Sequence, residues 1–230
     1  MQYDACRTEV PSLRGTVAAP PSKSHTHRAF ILAALADGES IVSSPLLGED
    51  ACATLDAVAA LGAAVTRRGD DVVICGGELH APADVIDCKN SGTSMRILAG
   101  VAAQIAGTTS FTGDASLCSR PMKPLLDALA ELGAEICAAD GGVQLTTPLT
   151  SRPYVEMIIA AMQKRGVSVI TTGDGFIVPA HQQYLPAPVT VGGDFSSAAF
   201  LFAAGALVGD VRVTNLDHAD PQGDKMFIDL

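Results

Sequence analysis

Hydrophobic residues along this chain fall into two patterns. In three stretches nearly every position is apolar. Residues 90–107 read N-S-G-T-S-M-R-I-L-A-G-V-A-A-Q-I-A-G, where Met95, Ile97, Leu98, Val101, Ala102, Ala103 and Ile105 leave no polar face. The stretches from His25 to Ala36 and from Phe195 to Leu207 repeat this arrangement. A helix apolar all round is buried, and runs this short do not span a bilayer. Each opens on residues that can cap a helix: Ser22 or Ser24, the Asn90–Thr93 run, and Asp194 or Ser196. The pattern therefore predicts three buried helices. Two of them carry cations in their first turns, Lys23 and Arg28 in one and Arg96 in the other. A helix N-terminus has unpartnered N–H groups and the positive end of the dipole. A cation added there suits an anion-binding pocket. The competing reading is a capped core helix whose arginine snorkels to the surface or pairs with a carboxylate. The segment alone does not separate the two.

The second pattern is amphipathic. Asp50–Leu61 is a helix stopped by Gly62, and strands at Ala64–Arg67 and Asp71–Cys75 flank a Gly69-Asp70 turn. Residues 2–18 read as a short strand pair, followed by a stiff Pro20-Pro21 linker. Shorter strands fall at Ile41–Ser43, Thr108–Phe111 and Asp210–Val213. Met122, Leu125, Leu126, Leu129 and Leu132 form one helical face, with Arg120 and Lys123 at its N-terminal end. A further helix spans Pro153–Lys164.

These pieces recur. L-D-A-V-A-A-L-G-A-A-V-T-R-R-G-D-D-V-V-I from Leu55 aligns without a gap on L-D-A-L-A-E-L-G-A-E-I-C-A-A-D-G-G-V-Q-L from Leu126, an offset of 71 residues. A degenerate third copy spans 162–178, with Gly166 matching Gly133 at an offset of only 33. Each copy is a helix, a glycine stop and a strand hairpin, so the fold is built by stacking one unit. The second offset falls 38 residues short of the first, which places a missing strand-and-helix segment between Leu145 and Ser151.

Composition narrows the function. The chain has 230 residues, 48% of them hydrophobic, enough for one or two packed cores. A net charge of −10 disfavours nucleic acid and anionic membranes as partners. An anionic ligand must then be held by local cations against that background. The six cysteines show no metal-ligand spacing, and no signal peptide precedes them, so they read as reduced cytoplasmic thiols. His25 and His27 stand two apart at a helix start and point in different directions, so no metal is expected.

Six motifs occur in order: P-S-K-S-x-x-x-R-A from Pro21, N-S-G-T-S-M-R from Asn90, G-D-x-S-L-x-x-R-P-M-x-P-L-L-D-A-L from Gly113, S-R-P-Y-V-E-M from Ser151, G-D-F-S-S-A-A-F from Gly193 and Q-G-D from Gln222. Together they resemble the 5-enolpyruvylshikimate-3-phosphate synthase family, the 3-phosphoshikimate 1-carboxyvinyltransferases of the shikimate pathway. The resemblance implies an α/β (α+β) fold of repeated βαβαββ units with buried parallel helices. It implies an enolpyruvyltransferase-like two-domain arrangement, with residues 22–190 as the N-terminal domain and residues 1–21 and 191–230 as part of an incomplete second domain. The implied reaction transfers the enolpyruvyl group of phosphoenolpyruvate to the 5-hydroxyl of shikimate 3-phosphate and releases phosphate. It needs no cofactor and no metal, and the family is cytoplasmic and monomeric. By motif, Lys23 should contact phosphoenolpyruvate and act in catalysis, while Ser24, Arg28, Ser151 and Tyr154 hold shikimate 3-phosphate. Gly92, Thr93, Arg96 and Arg120 should line the phosphoenolpyruvate side, Asn90 should shape that loop, and Asp194 should order the interdomain crossover.

Two departures qualify this. The family's Ser-Ser-Gln motif is absent, since Ser196-Ser197 is followed by Ala198. The family's remaining catalytic acids and bases belong to a C-terminal half that this sequence does not contain. The expectation is therefore a chain that binds substrates weakly without turnover. The rival readings are a non-catalytic substrate-binding domain and a UDP-N-acetylglucosamine enolpyruvyltransferase. That second family has Lys-Asn where Lys23-Ser24 stands, and its reactive loop cysteine lies earlier than Cys118.

Overall fold

The computed structural model describes residues 12–134, 152–172 and 176–229. Ser22, which follows the Pro20-Pro21 segment, caps α1 (Lys23–Leu35) by accepting from the His25 N–H. Every α1 residue from Thr26 to Ala34 is buried, as the unbroken apolar run requires. Strand β2 (Gly38–Ser43) follows, then α2 (Glu49–Ala60), whose first-turn Glu49 and Asp50 suit its N-terminal dipole. Gly62, at φ 113°, stops α2 with no side chain to resist the turn. Strands β3 (Ala64–Arg68) and β4 (Asp71–Gly76) form the predicted hairpin around Gly69.

Strand β5 (Ile86–Asp87) leads to α3 (Gly92–Ala102), and β6 (Phe111–Thr112) pairs with β5 in parallel. Next come α4 (Ala115–Cys118), α5 (Lys123–Glu131) and α6 (Arg152–Gln163). The hairpin β7 (Ile170–Thr171) and β8 (Phe176–Ile177) follows, then β9 (Val189–Thr190). The chain continues through α7 (Phe195–Val208) and β10 (Gly209–Thr214) to a 3-10 segment at Gly223–Asp229.

The main sheet has the order β3-β4-β2-β9, antiparallel except for the parallel β2–β9 edge. Against it pack α1 and α2, with Phe30, Ile31, Val42, Leu55, Val58, Val72, Ile74 and Leu98 in one core. Burying a side chain of this size contributes about 2 kcal/mol. The first repeat is thus α2, Gly62 and the β3–β4 hairpin. The third is the end of α6, Gly166 at φ 82° and β7–β8. The hairpin of the second copy, and the join where the spacing falls short, lie outside the described residues.

Residues 13–18 form strand β1 (Leu13–Ala18), which pairs in parallel with β10; the rest of the expected strand pair, residues 2–11, lies outside the described residues. Three expectations change. The strand expected at Thr108–Phe111 shifts to Phe111–Thr112, because its pairing partner β5 is only two residues long. Helix α3 buries one side only, through Gly92, Ser94, Met95, Leu98 and Ala99, and it ends at Ala102. Helix α7 buries only Phe195 and Ala198 among the residues of its first turn and beyond, while Phe200 is 79% and Leu207 82% exposed. Periodicity showed that α7 lacks a polar face; it did not show what covers it. Among the described residues only β1, β10 and the 3-10 segment pack closely on it.

Candidate functional site

Two buried helix N-termini gather the cations. At α3 the Ser91 hydroxyl accepts from the Ser94 N–H at 3.2 Å. Arg96, one turn along, folds back over this end. Its Nη1 donates to the Gly92 carbonyl and its Nη2 to the Pro121 carbonyl, both at 3.2 Å. Arg120 arrives from the loop after α4. Its Nη1 donates to the Asn90 carbonyl at 3.4 Å, and its Nη2 donates to Asn90 Oδ1 and, at 3.4 Å, to Ser116 Oγ. Asn90 is oriented by its other end, where Nδ2 donates to Asp114 Oδ2 at 2.6 Å. The Leu117 backbone N–H, and after it Asn90, hold the Asp114 carboxyl below the usual carboxylate range, so it stays an acceptor.

Both guanidinium groups lie over Gly92. A Cβ there would come within 2.6 Å of Arg96 Nη1 and 3.1 Å of Arg120 Nη1. Neither arginine forms a salt bridge among the described residues. Their hydrogen-bond partners are carbonyls, an amide and a hydroxyl, and the Asp114 carboxylate acts on Arg120 only at longer range. Two such charges at a helix N-terminus suit an anionic ligand. Lys123, by contrast, pairs with Asp127 at 2.5 Å and is a surface charge.

At α1, Lys23 is exposed and its Nζ meets Asp50 Oδ2 at 3.1 Å. Lys23, Leu46, Gly48, Glu49, Asp50 and Ala51 line a pocket at the first turn of α2. Arg28 is only 7% exposed. Its Nη1 donates to the Ser24 carbonyl at 2.9 Å and its Nη2 to the Tyr154 carbonyl at 3.3 Å, while Nε has no partner. Burial pulls the Arg28 pKa below its ordinary value, yet a guanidinium remains charged. The hydroxyls of Ser24 and Thr93 have no bond among the described residues. Tyr154 is 48% exposed, and Ser151 lies outside the described residues.

Asp194 joins the two chain passages. Its Oδ1 accepts from the Ser197 N–H at 3.1 Å, and its Oδ2 accepts from the Lys23 N–H at 3.3 Å. One carboxylate thus caps α7 and touches the start of α1. Around it the Ser22 N–H donates to the Gly192 carbonyl and the Asp194 N–H to the Pro20 carbonyl, both at 2.8 Å. The sequence reading missed Asp50 and Asp114, the carboxylates that hold Lys23 and orient Asn90. Asp114 stands inside a quoted motif, but Asp50 offered only its place in a helix start. Among the described residues no group of three or more His, Cys, Asp or Glu could hold a metal, and no helix is long and apolar enough to cross a membrane. Cys52, Cys75, Cys88 and Cys118 are free thiols.

The fold is that of the enolpyruvyl transferases. It matches the enolpyruvyl transferase NikO from Streptomyces tendae at a TM-score of 0.63 and 15% identity, over 88% of this chain and 58% of that one. It matches an EPSP synthase from Acinetobacter baumannii at 0.76 and 28% identity, over 89% of this chain and 56% of that one. The chain belongs to the EPSP synthase (3-phosphoshikimate 1-carboxyvinyltransferase) family, whose model matches residues 8–142 and 136–230. The 3-phosphoshikimate 1-carboxyvinyltransferase of Methanocorpusculum labreanum is 55% identical over 95% of this chain. That of Methanocaldococcus jannaschii is 36% identical over the same share. In both cases the match spans 62% of the relative's own length. The first match runs over 261 residues, more than this chain has, so the relative carries residues inside the aligned region that this chain lacks. The two stretches matched by the family's model overlap at 136–142, close to the join where the repeat spacing falls short.

Proposed function

We propose that this chain carries the substrate-binding half of an enzyme that transfers the enolpyruvyl group of phosphoenolpyruvate to the 5-hydroxyl of shikimate 3-phosphate. The observation that carries this reading is the pair Arg96 and Arg120, neither in a salt bridge among the described residues and both resting on Gly92. Two forked guanidinium groups over a helix N-terminus suit a compact dianion, and phosphoenolpyruvate presents a phosphate and a carboxylate. Arg96, Arg120, Gly92 and Thr93 hold that substrate, and Asn90 fixes Arg120. Lys23 reaches the phosphate once an anion competes with Asp50, and it acts in catalysis by stabilising charge on the leaving group. Arg28, Ser24, Tyr154 and Ser151 hold shikimate 3-phosphate.

Residues 22–190 form one domain in this reading, and residues 1–21 with 191–230 belong to a second. The β1–β10 pairing and the Asp194 lacing support that division. The chain spans 62% of its relatives' length, and in this reading its part of the task is to bind both substrates, as a cytoplasmic monomer. Calorimetry with each substrate, followed by a phosphate-release assay with both, tests this. Binding with no phosphate release is expected. Failure to bind either substrate rejects the reading, and sustained release rejects its binding-only part.

A further inference from the structure

Beneath the two cation-bearing helix ends lies a buried polar junction with no place in the roles above. His27, Thr54, Ser91 and Ser94 are 1%, 0%, 2% and 0% exposed. They come from α1, α2, the cap of α3 and α3 itself. His27 Nδ1 lies 2.7 Å from Thr54 Oγ1 and 3.5 Å from Ser94 Oγ. Thr54 Oγ1 lies 2.6 Å from Ser94 Oγ, which lies 2.5 Å from Ser91 Oγ. Thr54 also reaches back to the Asp50 carbonyl at 3.2 Å. One ring nitrogen, His27 Nε2, is buried with no partner.

Apolar side chains of the same size would fill this junction at lower cost, since buried polar groups gain little net stability and lose much when unpaired. What a hydrogen-bonded junction supplies is direction: a hydroxyl chain fits one register of the helices it joins, whereas packed methyl groups tolerate sliding. The positions it joins are specific. His27 precedes Arg28 and lies one turn beyond Lys23. Ser94 lies between Thr93 and Arg96. Thr54 lies one turn beyond Asp50, the partner of Lys23. The junction therefore ties together the three helix ends that carry the candidate substrate contacts.

We propose that His27 is a positioning residue whose Nδ1, bonded to the Thr54 and Ser94 hydroxyls, fixes α1 against α3 so that the shikimate 3-phosphate contacts and the phosphoenolpyruvate contacts engage together. The inference rests on the functional reading above. It concerns the coupling between two bound anions rather than the binding of either one. His27 touches neither substrate.

The experiment measures phosphoenolpyruvate affinity with and without saturating shikimate 3-phosphate in the 230-residue chain and its variants. His27→Leu removes the nitrogen. His27→Asn keeps a polar atom near the Nδ1 position. Thr54→Val replaces the hydroxyl by a methyl group of equal size, and serves if His27→Leu fails to fold. In the unmodified chain, shikimate 3-phosphate should tighten phosphoenolpyruvate binding. His27→Leu or Thr54→Val should reduce that enhancement by about tenfold, with each single-substrate affinity changed less than threefold. His27→Asn should restore it. A purely structural role predicts that both single affinities fall with stability while the enhancement persists, and that result overturns the proposal. An unmodified chain that binds both substrates without any enhancement also overturns it. If the unmodified chain binds neither substrate, the functional reading itself falls, and this inference with it.

Discussion

Gly92 and Arg96 fit together only because residue 92 has no side chain: a Cβ there would lie 2.6 Å from the arginine Nη1. The guanidinium is the flexible partner, so an added methyl group displaces Arg96 rather than the helix. Gly92→Ala should therefore leave folding intact. Alanine is even favoured over glycine in a helix by up to about 1 kcal/mol. Phosphoenolpyruvate affinity should fall about tenfold, the worth of one charge-assisted hydrogen bond. Calorimetry beside a thermal melt checks both. Unchanged affinity would mean that Arg96 does not serve the anion.

Arg28 offers the opposite test. It is buried, it has no carboxylate partner among the described residues, and its Nε is unsatisfied. A buried unpaired charge is a cost to the empty protein. Arg28→Met keeps much of the volume and removes the charge. The variant should melt at or above the temperature of the unmodified chain, while shikimate 3-phosphate affinity drops at least tenfold. A destabilised variant with intact affinity would make Arg28 a structural residue whose two carbonyl bonds hold α1 to α6.

Local pattern made much of this protein legible. The repeat of helix, glycine stop and hairpin foretold α2–β3–β4, and the cations at capped apolar helices foretold the charged ends of α1 and α3. Partnerships between distant residues were not legible. Nothing near Lys23 announces Asp50. His27 read as an unremarkable member of a histidine pair, because its meaning depends on Thr54 and Ser94, which two other helices supply. Helix α7 shows the same limit from the other side. Its sequence demands cover on every face, but only contacts can say which faces receive it, and here Phe200 and Leu207 do not.

Gly76 tests the packing of the core directly. It ends β4 where the C-terminal turn of α1 crosses, and a Cβ there would lie 2.3 Å from the Ala34 carbonyl oxygen and 2.5 Å from that of Ala33. Both atoms are backbone and cannot swing aside. Gly76→Ala should destabilise the chain by about 1–3 kcal/mol, as overpacking does. Denaturant unfolding measures this. A loss below about 0.5 kcal/mol, the scatter of neutral surface substitutions, would show that α1 and β4 separate easily.

The same buried histidine that joins the helices makes stability depend on pH. Burial, opposed in part by Asp50, lowers the His27 pKa from 6.5 to about 4. The folded protein thus holds His27 neutral where the unfolded chain would protonate it. As pH falls through 6.5 the unfolded state takes up the proton first, so stability is lost progressively until about pH 4, where the folded state protonates too. Above pH 6.5 this group contributes no slope. A shift of that size corresponds to a loss of about 3 kcal/mol across the window. Asp87, Asp114 and Asp220 are held below the ordinary carboxylate range and act at lower pH. Unfolding free energies at pH 7, 5.5 and 4.5 for the unmodified chain and His27→Asn should therefore converge as the pH falls, because the variant lacks the titrating ring. Parallel pH profiles for the two would mean that His27 takes up its proton equally readily in the folded and the unfolded chain, so that burial does not hold it neutral.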